Sequence, residues 1–261
     1  MYCLHKVIKI FSLLTCCKKP AAISLSILFC LIIKNQTGFA QTQTVIYTNT
    51  GSNTWTAPCG VTSITVQAWG GGGAGGGSSS YNIKGGGGGA GGAYVFSVLT
   101  VSPGTTYNLN VGAGANGGYG AGSQGSGSWF NTSSILFAEG GKGGAAPNGG
   151  TVAGGVGSAS ASTGTTKIAG ASGNKGNSSI GGAGGTGGNG GGAGGTARGS
   201  SGGNGNNGSQ PGGGGGGAFV NNGFNRSGGY GGDGEIIITY TGMSNYCIPA
   251  FSNTEPITYV N

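Results

Sequence analysis

Asp233 and Glu235 stand two residues apart, and paired carboxylates are the equipment of glycoside hydrolysis. That chemistry requires two acids opposed across a sugar bond. Here both sit at the start of the apolar run Ile236-Ile237-Ile238, where a solvated strand end is the simpler reading. The other acids, Glu139 and Glu255, are distant in sequence. The only histidine, His5, lies in a leader-like segment, which leaves Ser/His/Asp, Cys/His and histidine-metal constellations without their imidazole. Matches to Gly-x-Gly-x-x-Gly abound but arise from composition, and no strand-helix context accompanies them. Gly228 to Asp233 resembles one calcium-binding nonapeptide, whereas such sites need stacked repeats. The expectation is a non-enzymatic chain with no catalytic residue, cofactor or metal.

Four aromatic residues set among glycines, Tyr81, Tyr119, Phe224 and Tyr230, are the candidates for surface contact. An aromatic face offers apolar area for sugar stacking at small entropic cost, although such residues also cap the ends of small cores. Cys59 and Cys247 are the cysteines beyond the leader; they can form one staple, or Cys247 can take a partner outside the chain.

The leader itself is residues 1–40. Lys6, Lys9, Lys18 and Lys19 precede the apolar run Ala21 to Ile33, and Gly38-Phe39-Ala40 closes it. This is the form of a secretory signal, with an apolar run too short for the ~20 residues of a membrane span, and cleavage is expected after Ala40. The formal charge of +7 then falls to +2, because five of eleven basic residues and none of four acids leave. The remaining cations are scattered, so no nucleic-acid partner is expected, and no membrane span in the mature chain.

From 41 to 139 the sequence reads as β structure. Strands are expected at Val45 to Tyr47, Asn53 to Thr56, Ser63 to Trp69, Ala93 to Val101 and Thr106 to Val111, the last two as a hairpin across Ser102-Pro103-Gly104. Gly70 to Ser80 reads as a glycine loop. Trp129, Phe130, Ile135, Leu136 and Phe137 suggest two brief strands on the same core. Residues 218–242 close the domain, with Ile236 to Ile238 expected in a central strand covered on both faces. Residues 243–261 lose glycine and read as the start of a further module or linker within a longer polypeptide.

Between them, residues 140–217 hold no aromatic residue and only Val152, Val156, Ile168 and Ile180 as large aliphatics. Four anchors cannot order such a stretch by side-chain burial. Gly181 to Gly192 parses in threes, which is the period of a polyproline-II-type helix whose amides and carbonyls all point outward. The fold expected is mainly β, a sandwich-like core with a long glycine-rich insertion of packed polyglycine-II helices.

The segment from Trp55-Thr56-Ala57-Pro58-Cys59-Gly60 to Val66, Ala68-Trp69 with its glycine run, Ser102-Pro103-Gly104, and Gly231-Gly232-Asp233-Gly234-Glu235 together resemble the glycine-rich domain of secreted Bacteroidota-type surface proteins. In plan the domain is similar to glycine-rich phage tail-fibre tip adhesins. The resemblance implies a secreted or cell-surface location, a structural or adhesive role, and surface glycans or cell-envelope components as partners. Two alternatives stand beside it. One is an ice-binding face of Ala183, Thr186 and Asn189; the other is an accessory domain of a longer secreted enzyme.

Overall fold

The computed structural model describes residues 40–78, 84–147, 150–221 and 223–243. The chain divides into two compact units, 1–40 and 41–261, and the second carries the sheets. Its strands are β1 (Ala40–Tyr47), β2 (Gly51–Thr56), β3 (Ser63–Trp69), β4 (Lys84–Gly85), β5 (Tyr94–Thr100), β6 (Thr106–Val111), β7 (Ser128–Phe130), β8 (Leu136–Ala138), β9 (Thr166–Ile168), β10 (Phe219–Val220) and β11 (Glu235–Met243). They form a five-stranded sheet β1-β11-β3-β5-β9, a four-stranded sheet β2-β6-β7-β8, and the short pair β10-β4. The fold is mainly β, as its alternating segments predict.

The two large sheets enclose a core of Trp55, Ile64, Val66, Val95, Leu109, Val111, Phe130, Leu136, Ile236 and Ile238. Trp55, Tyr107, Phe130 and Tyr240 meet in one ring cluster, with centroid separations of 5.6 to 6.3 Å. Three expectations are corrected by this arrangement. β5 and β6 do not form a hairpin: β5 pairs with β3 and β9, while β6 pairs with β2 and β7. The Ser102-Pro103-Gly104 connection crosses from one sheet to the other, held by Val101 N–H to Thr62 O and Gly104 N–H to Ala57 O, so that both strands can face the shared core. β11 lies inside its sheet but alternates, with Ile236 and Ile238 buried and Ile237 half-buried, so it is covered fully on one face only. Trp129 points away from the core that takes Phe130.

The glycine-rich sequence forms a second layer of order. In the segment 70–78, the amides of Gly70, Gly73 and Gly76 donate to Ala93, Ala90 and Gly87; those of Gly71, Ala74 and Gly77 donate to Ser126, Ser123 and Gly120; those of Gly72, Gly75 and Ser78 donate to Gly232, Gly229 and Arg226. Every third amide faces the same neighbour. That is the signature of a threefold helix hydrogen-bonding outward in three directions. Residues 85–93 repeat it, with donors in three phases to 171–177, 212–218 and 139–145. Counting acceptors as well, the helices 70–78, 85–93 and 212–218 each touch six others, including one another.

Around these three runs a closed ring of nine: 112–118, 120–127, 139–146, 151–157, 170–177, 181–188, 191–198, 203–210 and 226–234, each bonded to the next. The result is a hexagonally packed bundle. The interior positions tolerate almost nothing but glycine. A Cβ at Gly73 would overlap the Lys142 carbonyl, one at Gly88 the Ala183 carbonyl, and one at Gly217 the Gly86 carbonyl. Side chains larger than hydrogen occur inside only as Ala74, Ala90, Ala93 and Ala218, all fully buried, and at Ser78 where the first helix ends.

The bundle is therefore not confined to 140–217. Two of its three interior helices come from Gly70 to Ala93, and the stretch read as a glycine loop is an interior helix. These two continue the antiparallel pair β3 and β5 without a break. A strand pairs in one plane, because its side chains occupy both faces; once side chains vanish, the same extended chain can pair on every side.

Candidate functional site

The helices leave the sandwich at a common level, where Ser128 is fully buried. Its hydroxyl donates to Trp69 O at 2.6 Å and accepts from Gly112 N–H at 2.9 Å, tying three elements together. Trp69 Nε1 donates to Gly188 O at 2.8 Å, and its ring meets Tyr94 with centroids 4.8 Å apart. Gln210 Nε2 donates to Gly234 O at 2.7 Å and to Thr48 O at 3.0 Å. Glu139, 8 % exposed, accepts at Oε2 from Ser158 Oγ and Ala161 N–H, which holds the 157–162 segment against the junction. Residue type alone does not mark them as a junction. Their signal is position: each of Trp69, Ser128 and Glu139 stands where an apolar run gives way to glycine, or the reverse.

The opposite end of the bundle is made of chain reversals. Tyr119 lies in the reversal between 112–118 and 120–127, and Phe224 in the connection between 212–218 and 226–234. They are 58 % and 65 % exposed. Both reversals adjoin the end of the 70–78 helix, since Gly77 N–H donates to Gly120 O and Ser78 exchanges backbone bonds with Arg226. Ile180, at another reversal of this end, is 38 % exposed. Tyr81 lies outside the described residues.

Tyr230 does not join this end. It projects from the side of the 226–234 helix, in the outward phase that also carries Ser227 and Asp233. The outward amides of Ser227 and Tyr230 are covered by Asn204 Oδ1 at 3.1 Å and Asn207 Oδ1 at 3.0 Å. Amide side chains spaced three apart on one helix thus close hydrogen bonds that the next helix cannot.

The two neighbouring acids are engaged separately. Asp233 Oδ1 accepts from Gly114 N–H at 2.8 Å, capping an outward amide of the 112–118 helix. Glu235 pairs with Trp69 in the sheet, and desolvation by partial burial raises its carboxyl above the ordinary range. Cys59 is disulfide-bonded, and Cys247 lies outside the described residues. On the 181–188 helix, Thr186 is exposed and Ala183 half-buried; Asn189 has left the helix for a left-handed turn with φ 51°. The three therefore do not continue as one straight row. Among the described residues, no helix is long and apolar enough to cross a membrane.

No curated protein matches this chain. The family model described as a glycine-rich domain matches residues 48–241, a span that takes in the whole bundle and the sandwich from β2 to β11 short of its last two residues, with β1 outside it. The chain belongs to the glycine-rich domain family.

Proposed function

We propose that this glycine-rich domain is a non-enzymatic, exported module displayed at a cell surface, where the bundle acts as a stiff support for adhesive loops at its far end. The observation that carries the reading is the exposure of Tyr119 and Phe224 on reversals adjoining the same interior helix, at the end remote from the two large sheets. A bundle whose interior is hydrogen-bonded in three directions has little freedom to bend, so it holds such loops at fixed separation. Tyr230 and Tyr81 are further contact candidates, the former on the side of the bundle. Surface glycans or cell-envelope components are the partners proposed, in keeping with the resemblance to Bacteroidota surface proteins and phage tail-fibre tips.

Export is supported by the basic and apolar pattern of residues 1–40. Expression in a bacterial host with an intact secretion pathway is expected to yield protein beginning at Gln41, read by N-terminal sequencing. Adhesion is tested with the full chain on immobilised envelope glycans and whole bacterial cells. Binding that falls at least about tenfold in a Tyr119→Ala/Phe224→Ala double variant supports the reading, since aromatic anchors dominate interface energetics. Undiminished binding in that variant rejects the far-end loops as the contact, and no binding to either target leaves a spacer.

A further inference from the structure

Strand alternation sends Ser128 and Phe130 of β7 inward and leaves Trp129, half-buried, on the outer face of the four-stranded sheet. Its cross-strand neighbours are Asn110 of β6 and Phe137 of β8. Beside it lies an open depression of about 390 Å³ lined by Ser52, Asn53, Thr54, Asn108, Leu109 and Trp129. The register sets Ser52 opposite Asn110 and Thr54 opposite Asn108, which places hydroxyls of one strand beside amides of the next. Among the described residues the side chains of Ser52, Thr54 and Asn108 make no hydrogen bond, and no charged residue lines the depression.

We propose that this face is a binding site for neutral carbohydrate. A pyranose ring presents an apolar C–H face and a rim of hydroxyls. The indole of Trp129 takes the first, and Asn108, Thr54 and Ser52 take the second. The lining favours this ligand over its competitors. An anionic glycan or nucleic acid would meet no cation here, and a protein partner would require a broader apolar centre than one indole among hydroxyls and amides. The site is distinct from the far-end loops and does not depend on adhesion through them.

Trp55 and Trp69, the other two of the three tryptophans, are 6 % and 7 % exposed, so quenching by acrylamide and ligand-induced change in emission report mainly Trp129. The full chain is titrated with neutral hexasaccharides of glucose, mannose, galactose and N-acetylglucosamine. At least one is expected to shift the emission and protect it from acrylamide. Trp129→Ala, followed by calorimetry, is expected to weaken that binding at least about tenfold. Asn108→Ala, an exposed polar change, is expected to weaken it with an unaltered unfolding midpoint, and it decides the matter if Trp129→Ala fails to fold. Tyr119→Ala/Phe224→Ala is expected to leave it unchanged, which separates this site from the loops. The proposal is overturned if none of the four hexasaccharides binds or if binding persists in both Trp129→Ala and Asn108→Ala. It is equally overturned if Trp129 in the full chain is closed to acrylamide because another part of the chain covers the face.

Discussion

In the sandwich, Leu109, Phe130, Leu136, Ile236 and Ile238 fill the space between two sheets, and each strand bonds only within its own plane. In the bundle, the 85–93 helix carries no side chain larger than a methyl group and bonds to six neighbours. Both regions dehydrate their backbone, but the sandwich gains free energy by removing apolar area from water, at about 25 cal/mol per Å². The bundle offers little such area. Each ordered residue there costs about 1–2 kcal/mol in backbone entropy, against a net gain of about 0.5–1.5 kcal/mol per hydrogen bond. Order becomes tenable where both the amide and the carbonyl are satisfied and the chain is already held at one end. The sandwich supplies that hold, since strands β3, β5, β6, β7, β8 and β11 run straight into or out of helices.

The difference can be broken at single residues. The largest effect is expected at an interior glycine: Gly88→Val places carbon where the Ala183 carbonyl lies, with backbone on every side and nothing able to yield. Its unfolding transition in urea should lose cooperativity altogether. Leu109→Ala in the sandwich core should cost about 2–5 kcal/mol while keeping one transition, because a cavity between side chains can partly relax. Retention of a native-like midpoint in Gly88→Val would refute the interior packing.

The periphery provides the contrast. Gly118→Ala meets no atom within 4 Å and has no left-handed backbone, so it should be neutral or stabilising by up to about 1 kcal/mol through the unfolded state. A loss as large as that of Leu109→Ala would mean that the end of the 112–118 helix is enclosed as the interior glycines are. The smallest effect concerns Glu235 at the junction. Its native carboxyl binds a proton more tightly than the unfolded chain does, because burial disfavours the charged form. Stability from this group is therefore full below the ordinary glutamate range and declines as pH rises through the elevated native value. Glu235→Gln should flatten that decline in urea midpoints measured from pH 3 to pH 8, and an unchanged slope would assign it to other groups.

Much of the sandwich was legible. Alternation placed Ser63 to Trp69 and Thr106 to Val111 as strands, because one face of each must enter a core. Partner choice was not: adjacency and a Pro-Gly turn suggested a hairpin between β5 and β6, yet each pairs with strands elsewhere in the chain. Trp129 reads as core from sequence, since apolar character alone does not tell which face of a short strand it occupies. For the bundle, the threefold period read over 181–192 gives the helix type of 181–188, while the chain reversal at Asn189 and Gly190 leaves no mark on the period. The interior helices also carried a signal. Gly70 to Gly73, Gly85 to Gly89 and Gly212 to Gly217 are unbroken runs, glycine in all three phases, whereas the peripheral 181–188 helix has glycine in two. On the 181–188 helix the phase that carries Ala183 and Thr186 is the outward one, whereas the interior helices admit only buried alanine beside glycine as far as Ser78.

By itself the sequence determined the main strand segments of 45–139 and 235–240 and the threefold period, because side-chain periodicity is a local property; β4 and β9, two and three residues long, carry no such period. Only the tertiary structure decided which sheet takes each strand, that the bundle centres on three helices with two of them before Gly140, and that Tyr119 and Phe224 share the far end while Tyr230 stands on the side. The arrangement of the bundle rests on hydrogen bonds between residues as far apart as Gly72 and Gly232, and glycine has no side chain with which to record its partner.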